Sequence, residues 1–500
     1  MRLLKSTVFW ELVVFGLVLA LFLVKLDRHY FFTDEILYVQ RGVEQFQGIF
    51  TDTLQVPPLP KYLAGVGYML FGNNLSMLRL PFALIGVLAS YLLYLIIKRE
   101  FNPALGLVGV TLYATSRIIF DASRMVMLEP VMHLFWLLFL YFYYDTFSQA
   151  GRRKYLISGV FLGLSLSTKL TSVVLIPFVV LGFAFIWFKK KNERRANLRN
   201  YLWLGASATL PVVISYLHFF YKSGFVTAIV ETAKGIKDVY LTKSEEGKTH
   251  VVGGSVYAKS PWWTYIYYHV QYNGIARTIF YVLSSALLFL KSRFFVLYWS
   301  VFFTLVLLFC QFSGVKNVRY ISSIEIPLII LAVAGLNYVM QRFGKIAAFG
   351  VIPAVLALFI INQLSYLRNL QYTEYAALFT YFRNETLNFT EYKRMYVLGS
   401  VRSMKYYRDM VSNSNMMLWR KDYAVMCPEF GSFDYFAFDR EELLKDPANF
   451  LYQYVTANIE NFDRVPHVQD MFVFKKNKPF QSVIACPSIV SLHTTTYTTF

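Results

Sequence analysis

The sequence predicts an α-helical polytopic membrane protein with a smaller extracytoplasmic α/β domain at its C-terminal end. Three observations carry this prediction. Of 500 residues, 56% are hydrophobic and 18% aromatic, and mean hydropathy is positive, which is too apolar for a soluble globular chain. Apolar runs of about 18 residues or more recur as far as roughly residue 362, each long enough to cross a bilayer. The Lys and Arg residues, which give the chain its formal charge of +19, gather in short loops between these runs. That distribution is the one expected of cytoplasmic loops and does not suggest nucleic acid as a partner.

The elements follow in order. A first helix over 8–26 starts from Arg2 and Lys5 inside; its apolar stretch has no small-residue cleavage site, so it reads as an uncleaved span. The loop 27–76 is then outside, and within it Leu59 to Phe71 is amphipathic enough to lie along the interface. Spans over 77–97, 103–120, 126–147, 155–168, 170–188 and 201–221 follow, with Lys98-Arg99, Arg152 to Lys154 and Lys189 to Arg199 in the inner loops. A second long outer loop, 222–274, holds the aromatic stretch Pro261 to Tyr268, of the kind that gathers at headgroup level. Spans over 275–290, 294–312, 320–340 and 346–362 complete the series. Every inner loop carries at least two basic residues, which favours about eleven spans with the N-terminus inside and the C-terminus outside. The membrane domain is therefore expected over 1–364.

From 365 to 500 the composition turns to mixed charge. Strand-like runs at 395–398, 423–426, 435–438 and 471–474 alternate with helical stretches at 402–412 and 440–452, the pattern of a small α/β domain. Cys427 and Cys486 both lie there; in an oxidising compartment a disulfide between them and two free thiols are both open readings. Asn74, Asn384 and Asn388 open N-glycosylation acceptor triplets on the outer side.

Chemistry concentrates at the outer face. Asp34 and Glu35 are adjacent acids in the first polar segment after the first helix. Solvated loop charge is the plain reading; the sharper one is a general base, since a carboxylate held beside hydrocarbon is costly and usually functional. Lys61, Arg124, Lys169, Arg277 and Arg319 fall at outer helix ends, where the positive-inside rule disfavours them. They either snorkel to headgroups or hold an anion, and a phosphate suits a set of guanidinium forks and ammonium point charges. Arg124 and Glu129 are also close enough in sequence to pair with each other. His29, His133, His218, His250 and His269 have no metal-ligand spacing, so no metal residues are assigned. There is no Ser/His/Asp order, glycine-rich phosphate loop or Cys-x-x-Cys, and no inner loop long enough for a nucleotide. A sugar donor would therefore have to come from a lipid.

Five segments fall into a familiar order: Asp34-Glu35; Pro57-Pro58-Leu59-Pro60-Lys61-Tyr62-Leu63; Ser123-Arg124 through Glu129-Pro130; Gly163 to Lys169; and Asn317-Val318-Arg319-Tyr320 with Pro327. Over residues 1–340 the chain resembles the GT-C superfamily of polyprenyl-phosphate-sugar-dependent glycosyltransferases, in the branch of the protein O-mannosyltransferases and lipid A aminoarabinose transferases. The resemblance implies about a dozen spans with large first and fourth outer loops, and an inverting transfer at the extracytoplasmic face. It implies Asp34 as base with Glu35 beside it, donor-phosphate contacts from Lys61, Arg319, Arg124 and Lys169, and Glu129 and Tyr320 as supporting residues around the acceptor. The donor is a polyprenyl-phosphate sugar, the acceptor a protein, lipid or glycan hydroxyl, and a divalent metal stays open. An integral protein of a prokaryotic plasma membrane is expected. Two departures stand out: Val56 occupies the family's His position and Glu129 its usual Asp. A transporter or flippase of lipid-linked sugars, or a non-catalytic subunit of an envelope complex, are the alternatives.

Overall fold

The structure, a computed structural model, describes residues 7–28, 33–50, 56–72, 74–148, 151–237, 250–252, 255–257, 260–286, 294–312, 316–344, 350, 352–370, 393–398, 416–419, 433–439, 443, 450–465 and 471–477. The chain divides into two compact units, Met1–His29 with Leu37–Ser244 and Trp262–Leu370, and Tyr30–Ile36 with Glu245–Pro261 and Gln371–Phe500.

The first unit is helical. Its elements are α1 (Thr7–Leu23), α2 (Thr33–Phe46, whose first residues fall to the second unit), α3 (Leu59–Phe71), α4 (Leu75–Glu100), α5 (Pro103–Thr115), α6 (Arg117–Ser123), α7 (Leu128–Thr146), α8 (Arg152–Leu166), α9 (Leu175–Lys189) and α10 (Arg194–Ser223). After these come α11 (Phe225–Ile236), α12 (Thr264–Asn273), α13 (Ile275–Ala286), α14 (Phe294–Phe312), α15 (Tyr320–Phe343) and α16 (Ile352–Asn369). Helix α16 runs past the expected domain end at residue 364. Five helices among the described residues are long and apolar enough to cross a bilayer, six if the bent pair α5–α6 counts as one span. The protein is thus an integral membrane protein. Of the remaining expected spans, α1 and α13 are shorter apolar helices, α7 carries Glu129, His133 and Asp145, and α8 opens on Arg152-Arg153-Lys154.

The expected span over 103–120 is broken. Ser116 is extended (φ −70°, ψ 114°) and the chain turns by 71° between α5 and α6. Helix α3 begins and ends at the residues expected, because Pro58 and Pro60 suit a helix start, where no amide donor is needed, and Gly72 closes it at φ 61°. Its Val66, Met69, Leu70 and Phe71 are exposed, as an interfacial helix requires.

Small residues set a close helix approach. A Cβ on Gly159 would lie 2.2 Å from the Leu204 carbonyl oxygen, and one on Gly163 would lie 2.1 Å from that of Ala208, so α8 and α10 meet backbone to backbone. Gly163→Ala is expected to cost about 1–3 kcal/mol, read as a lower thermal midpoint in detergent; an unchanged midpoint would mean the two backbones have room to spare. Between α7, α9 and α14 the core is aromatic. Trp136, Tyr143, Phe178, Tyr298 and Phe302 are buried there. Their polar atoms are satisfied where they meet backbone or hydroxyl: Trp136 Nε1 donates to Ser172 Oγ (2.9 Å) and Tyr298 to the Leu140 carbonyl (3.0 Å).

The second unit contains a two-stranded antiparallel ribbon, β1 (His250–Val252) and β2 (Ser255–Tyr257). It also contains a five-stranded mixed sheet of β3 (Lys393–Leu398), β4 (Met416–Trp419), β5 (Tyr435–Asp439), β6 (Phe462–Arg464) and β7 (Met471–Lys476), in the order β4-β3-β5-β7-β6. Strand β3 is parallel to β4 and β5, whereas β7 runs antiparallel to β5 and β6. Central strands covered on both faces read as unbroken apolar runs rather than alternating ones. Accordingly Met395 to Val397 and Tyr435 to Phe438 are all buried. Helix α17 (Phe450–Ala457) adds Leu451 and Val455 to the core formed with Phe436, Phe438 and Phe474. The expected strand at 423–426, the helix at 402–412, Cys427, Cys486, Asn384 and Asn388 lie outside the described residues.

Candidate active site

Three elements of the first unit bring charged side chains together at helix ends. Helix α8 ends at Leu166, and its last carbonyls are taken up locally: Ser167 Oγ donates to the Gly163 carbonyl (2.8 Å) and Thr168 Oγ1 to that of Ser165 (2.6 Å). The chain then turns to extended backbone at Lys169 (φ −154°, ψ 141°), whose side chain is buried. Lys169 Nζ lies 2.8 Å from Glu129 Oε1 and 4.9 Å from the centre of the Tyr320 ring. Glu129 is fully buried in the first turn of α7, where the helix N-terminus favours a carboxylate, and its Oε2 has no hydrogen bond.

Arg319 stands immediately before the first turn of α15, next to Tyr320. Its backbone N–H (3.0 Å) and Nε (3.4 Å) both donate to Asn317 Oδ1, and its Nη1 lies 3.4 Å from the Tyr38 hydroxyl. Its charge acts on both Glu129 and Lys169. Burial pulls the Lys169 ammonium below the usual lysine range; the Glu129 carboxylate opposes that shift and Arg319 adds to it.

Lys61 enters from α3. The Leu59 N–H donates to the Ser167 carbonyl (3.2 Å), which ties the first turn of α3 to the segment that leads into Lys169. Helix α2 crosses α3 at Gly42 and Gly65, where a Cβ on Gly42 would lie 2.0 Å from the Lys61 carbonyl oxygen. Lys61 is 1% exposed. Its ammonium is pushed down to about 7 by burial and, secondarily, by the positive charge of Arg41.

The expected residues do not all meet. Arg124 is spent on α1: it donates to the carbonyls of Leu21 (2.6 Å), Phe22 (3.3 Å) and Lys25 (2.6 Å), capping the end of that helix. Glu129 therefore pairs with Lys169, forty residues away, and not with the nearer Arg124. Arg277 likewise caps α5, donating to the Leu112 carbonyl (2.9 Å) and Thr115 Oγ1 (2.6 Å). Asp34 and Glu35 open α2, Asp34 partly exposed and Glu35 buried. Among the described residues no three His, Cys, Asp or Glu side chains converge as a metal site would need.

Sequence reasoning gave Asn317 no role of its own and passed over Tyr38 and the Gly42–Gly65 crossing, none of which stands out without a partner. It also passed over Glu325, an acid inside the apolar run of α15, which was a legible signal.

Comparison with known proteins bears on the fold. Residues 55–219 match the dolichyl-phosphate-mannose-protein mannosyltransferase family, a stretch that holds Lys61, Arg124, Glu129 and Lys169. No curated protein matches the sequence. Among solved structures, the chain is similar to ArnT from Cupriavidus metallidurans bound to undecaprenyl phosphate, with a TM-score of 0.61 at 14% identity over 93% of this chain and 97% of that one. It is also similar to the Archaeoglobus fulgidus oligosaccharyltransferase, with a TM-score of 0.53 at 15% identity over 96% of this chain and 75% of that one. At these identities the likeness is one of fold.

Proposed function

We propose that the protein is a membrane glycosyltransferase that moves a sugar from a polyprenyl-phosphate donor to an acceptor hydroxyl at the extracytoplasmic face, with inversion. The observation that carries this reading is the convergence of Lys169, Glu129, Arg319 and Tyr320 from three separate helix ends, with Lys61 tied in by the Leu59–Ser167 hydrogen bond. Two cations, Lys169 and Arg319, around one buried acid leave net positive charge, which suits a phosphate leaving group. ArnT, whose fold is similar, was solved with undecaprenyl phosphate bound.

In this reading Asp34 takes the proton of the acceptor hydroxyl as its oxygen attacks C1 of the sugar. The bond from C1 to the phosphate oxygen breaks, and the electron pair leaves with the lipid phosphate. Lys61, Lys169 and Arg319 stabilise the charge that develops there. Glu129 holds Lys169 in place and Tyr320 faces its ammonium. Arg124, engaged at the end of α1, takes no part in the phosphate contacts. Asp34 is the more exposed of the acidic pair and so the one an acceptor from the aqueous side can reach; Glu35 sits buried beside it. The acceptor is a protein, lipid or glycan hydroxyl, and no step calls on a metal.

The reading is tested by loss of function. Mass spectrometry of envelope glycans and glycoproteins from a deletion strain should reveal a missing sugar that returns on complementation. An unchanged profile would remove the proposal.

Lys61 makes binding pH-dependent. A lysine whose folded pKa lies below its unfolded value binds fewer protons folded than unfolded between pH about 7 and its ordinary range. The ligand-free protein therefore gains stability as pH rises through that window. Phosphate binding needs the charged form and goes the other way. Undecaprenyl phosphate affinity is expected to fall as pH rises from 7.5 to 9, by about tenfold if one charge contact is lost, and Lys61→Arg should flatten the fall. A profile equally steep in Lys61→Arg would assign the titration to another group.

A further inference from the structure

Away from the charged cluster, α15 carries a second buried acid that the proposed reaction does not use. Glu325 is fully buried, six residues and about 9 Å further along the helix than Arg319. Side chains of α12 and α13 converge on it, and Ser116 at the α5–α6 break adds a further hydrogen bond. His269 Nε2 lies 2.9 Å from its Oε2, while Asn273 Nδ2 (3.2 Å) and the Tyr281 hydroxyl (3.1 Å) donate to its Oε1. His269 and Asn273 belong to α12, the end of the second outer loop, and Tyr281 belongs to α13. The other ring nitrogen of His269 reaches Thr278 Oγ1 (2.7 Å).

Asn273 passes the link on. Its Oδ1 accepts the Arg117 N–H (2.9 Å) and lies 3.4 Å from Ser116 Oγ, so it meets the chain at the break between α5 and α6. Arg277, whose charge also acts on Glu325, holds the last turn of α5. One carboxylate thus gathers α12, α13, the α5–α6 break and α15. Two of these lead straight into the site. Helix α6 runs on to the first turn of α7 with Glu129, and α15 begins with Tyr320 directly after Arg319.

A buried carboxylate is costly unless its lone pairs are satisfied, and losing one partner from such a group is strongly destabilising. Such a set therefore has one low-energy arrangement, which fixes how its helices slide past each other. We propose that Glu325 is a positioning residue that sets the depth of α15 against α12, α13 and the α5–α6 break, and through it the placement of Arg319 and Tyr320 over Lys169. The functional part of this rests on the donor-phosphate reading above; the mechanical part does not.

The two parts are tested together on the full chain in lipid nanodiscs. In Glu325→Gln, which keeps the volume and loses the charge, amide exchange is expected to speed up by about tenfold at 264–273 and 316–322, with 194–223 unchanged. Undecaprenyl phosphate should bind about tenfold more weakly, and combining the change with Arg319→Lys should cost less than the product of the two single effects. Unchanged exchange at 316–322 overturns the proposal, as does a double variant whose loss equals that product. If the wild-type chain fails to bind undecaprenyl phosphate, the donor reading falls while the exchange result still decides the positioning role. Tyr281→Phe, which removes one donor and keeps the carboxylate, gives the same readouts in milder form should Glu325→Gln fail to fold.

Discussion

Lys169→Met is expected to destabilise the protein by about 3–5 kcal/mol and to abolish binding of undecaprenyl phosphate. The two losses have different causes, and a second substitution separates them. Removing the ammonium leaves Glu129 ionised, fully buried and without its 2.8 Å partner, while its Oε2 already lacks a hydrogen bond. An uncompensated buried charge is among the few single changes that cost several kcal/mol. Glu129→Gln in the same chain removes that charge, so the double variant should recover most of the thermal midpoint lost by Lys169→Met. It should not recover lipid-phosphate binding, because the cation is still missing. Unfolding in detergent and native mass spectrometry with the lipid read the two quantities independently. Wild-type stability in Lys169→Met would mean the buried pair does not hold this end of the helices. Wild-type binding in the double variant would take Lys169 out of the phosphate site.

The parts of this fold that the sequence made legible are those set by local physics. Helix α14 matches its expected bounds because an unbroken apolar run between charged loops leaves no other option, and α3 does because prolines start it and a glycine ends it. The break at Ser116 was not legible. What satisfies the chain there is Asn273, more than 150 residues away in sequence, and nothing within the span over 103–120 announces it. The same distinction runs through the site. Lys61, Lys169 and Arg319 were readable as cations at the ends of apolar runs, a compositional oddity that needs no partner to be noticed. Their partners were not readable. Sequence proximity offered Arg124 to Glu129, but the orphan carbonyls at the end of α1 took the guanidinium, leaving Glu129 to Lys169. Cations at helix ends serve both ends of that choice, capping or ligand binding, and only tertiary geometry decides between them. Of the expected strands, β3, β5 and β7 were visible as apolar runs, whereas three-residue β6 is too short to carry a period.

Asp34→Asn is expected to lower transfer by about 10²–10⁴-fold, the range over which a positioned general base contributes, with stability and undecaprenyl phosphate binding close to wild type. The reasoning starts from what inversion requires: one base on the acceptor and no covalent intermediate on the enzyme. An amide of the same shape keeps the hydrogen-bond acceptor in the first turn of α2 but cannot take up the hydroxyl proton. The acceptor would then have to attack while still protonated. Glu35→Gln serves as the comparison, because Glu35 is buried while its neighbour is partly exposed. If Asp34 alone is the base, Glu35→Gln lowers transfer through stability, in proportion to its effect on the thermal midpoint, whereas Asp34→Asn lowers transfer with the midpoint unmoved. Complementation of a deletion strain, scored by mass spectrometry of envelope glycans, measures both variants whichever sugar is transferred. A deletion strain restored fully by Asp34→Asn would take Asp34 out of the role of base. Restoration by neither variant, with both thermal midpoints unmoved, would make the dyad rather than Asp34 the proton acceptor.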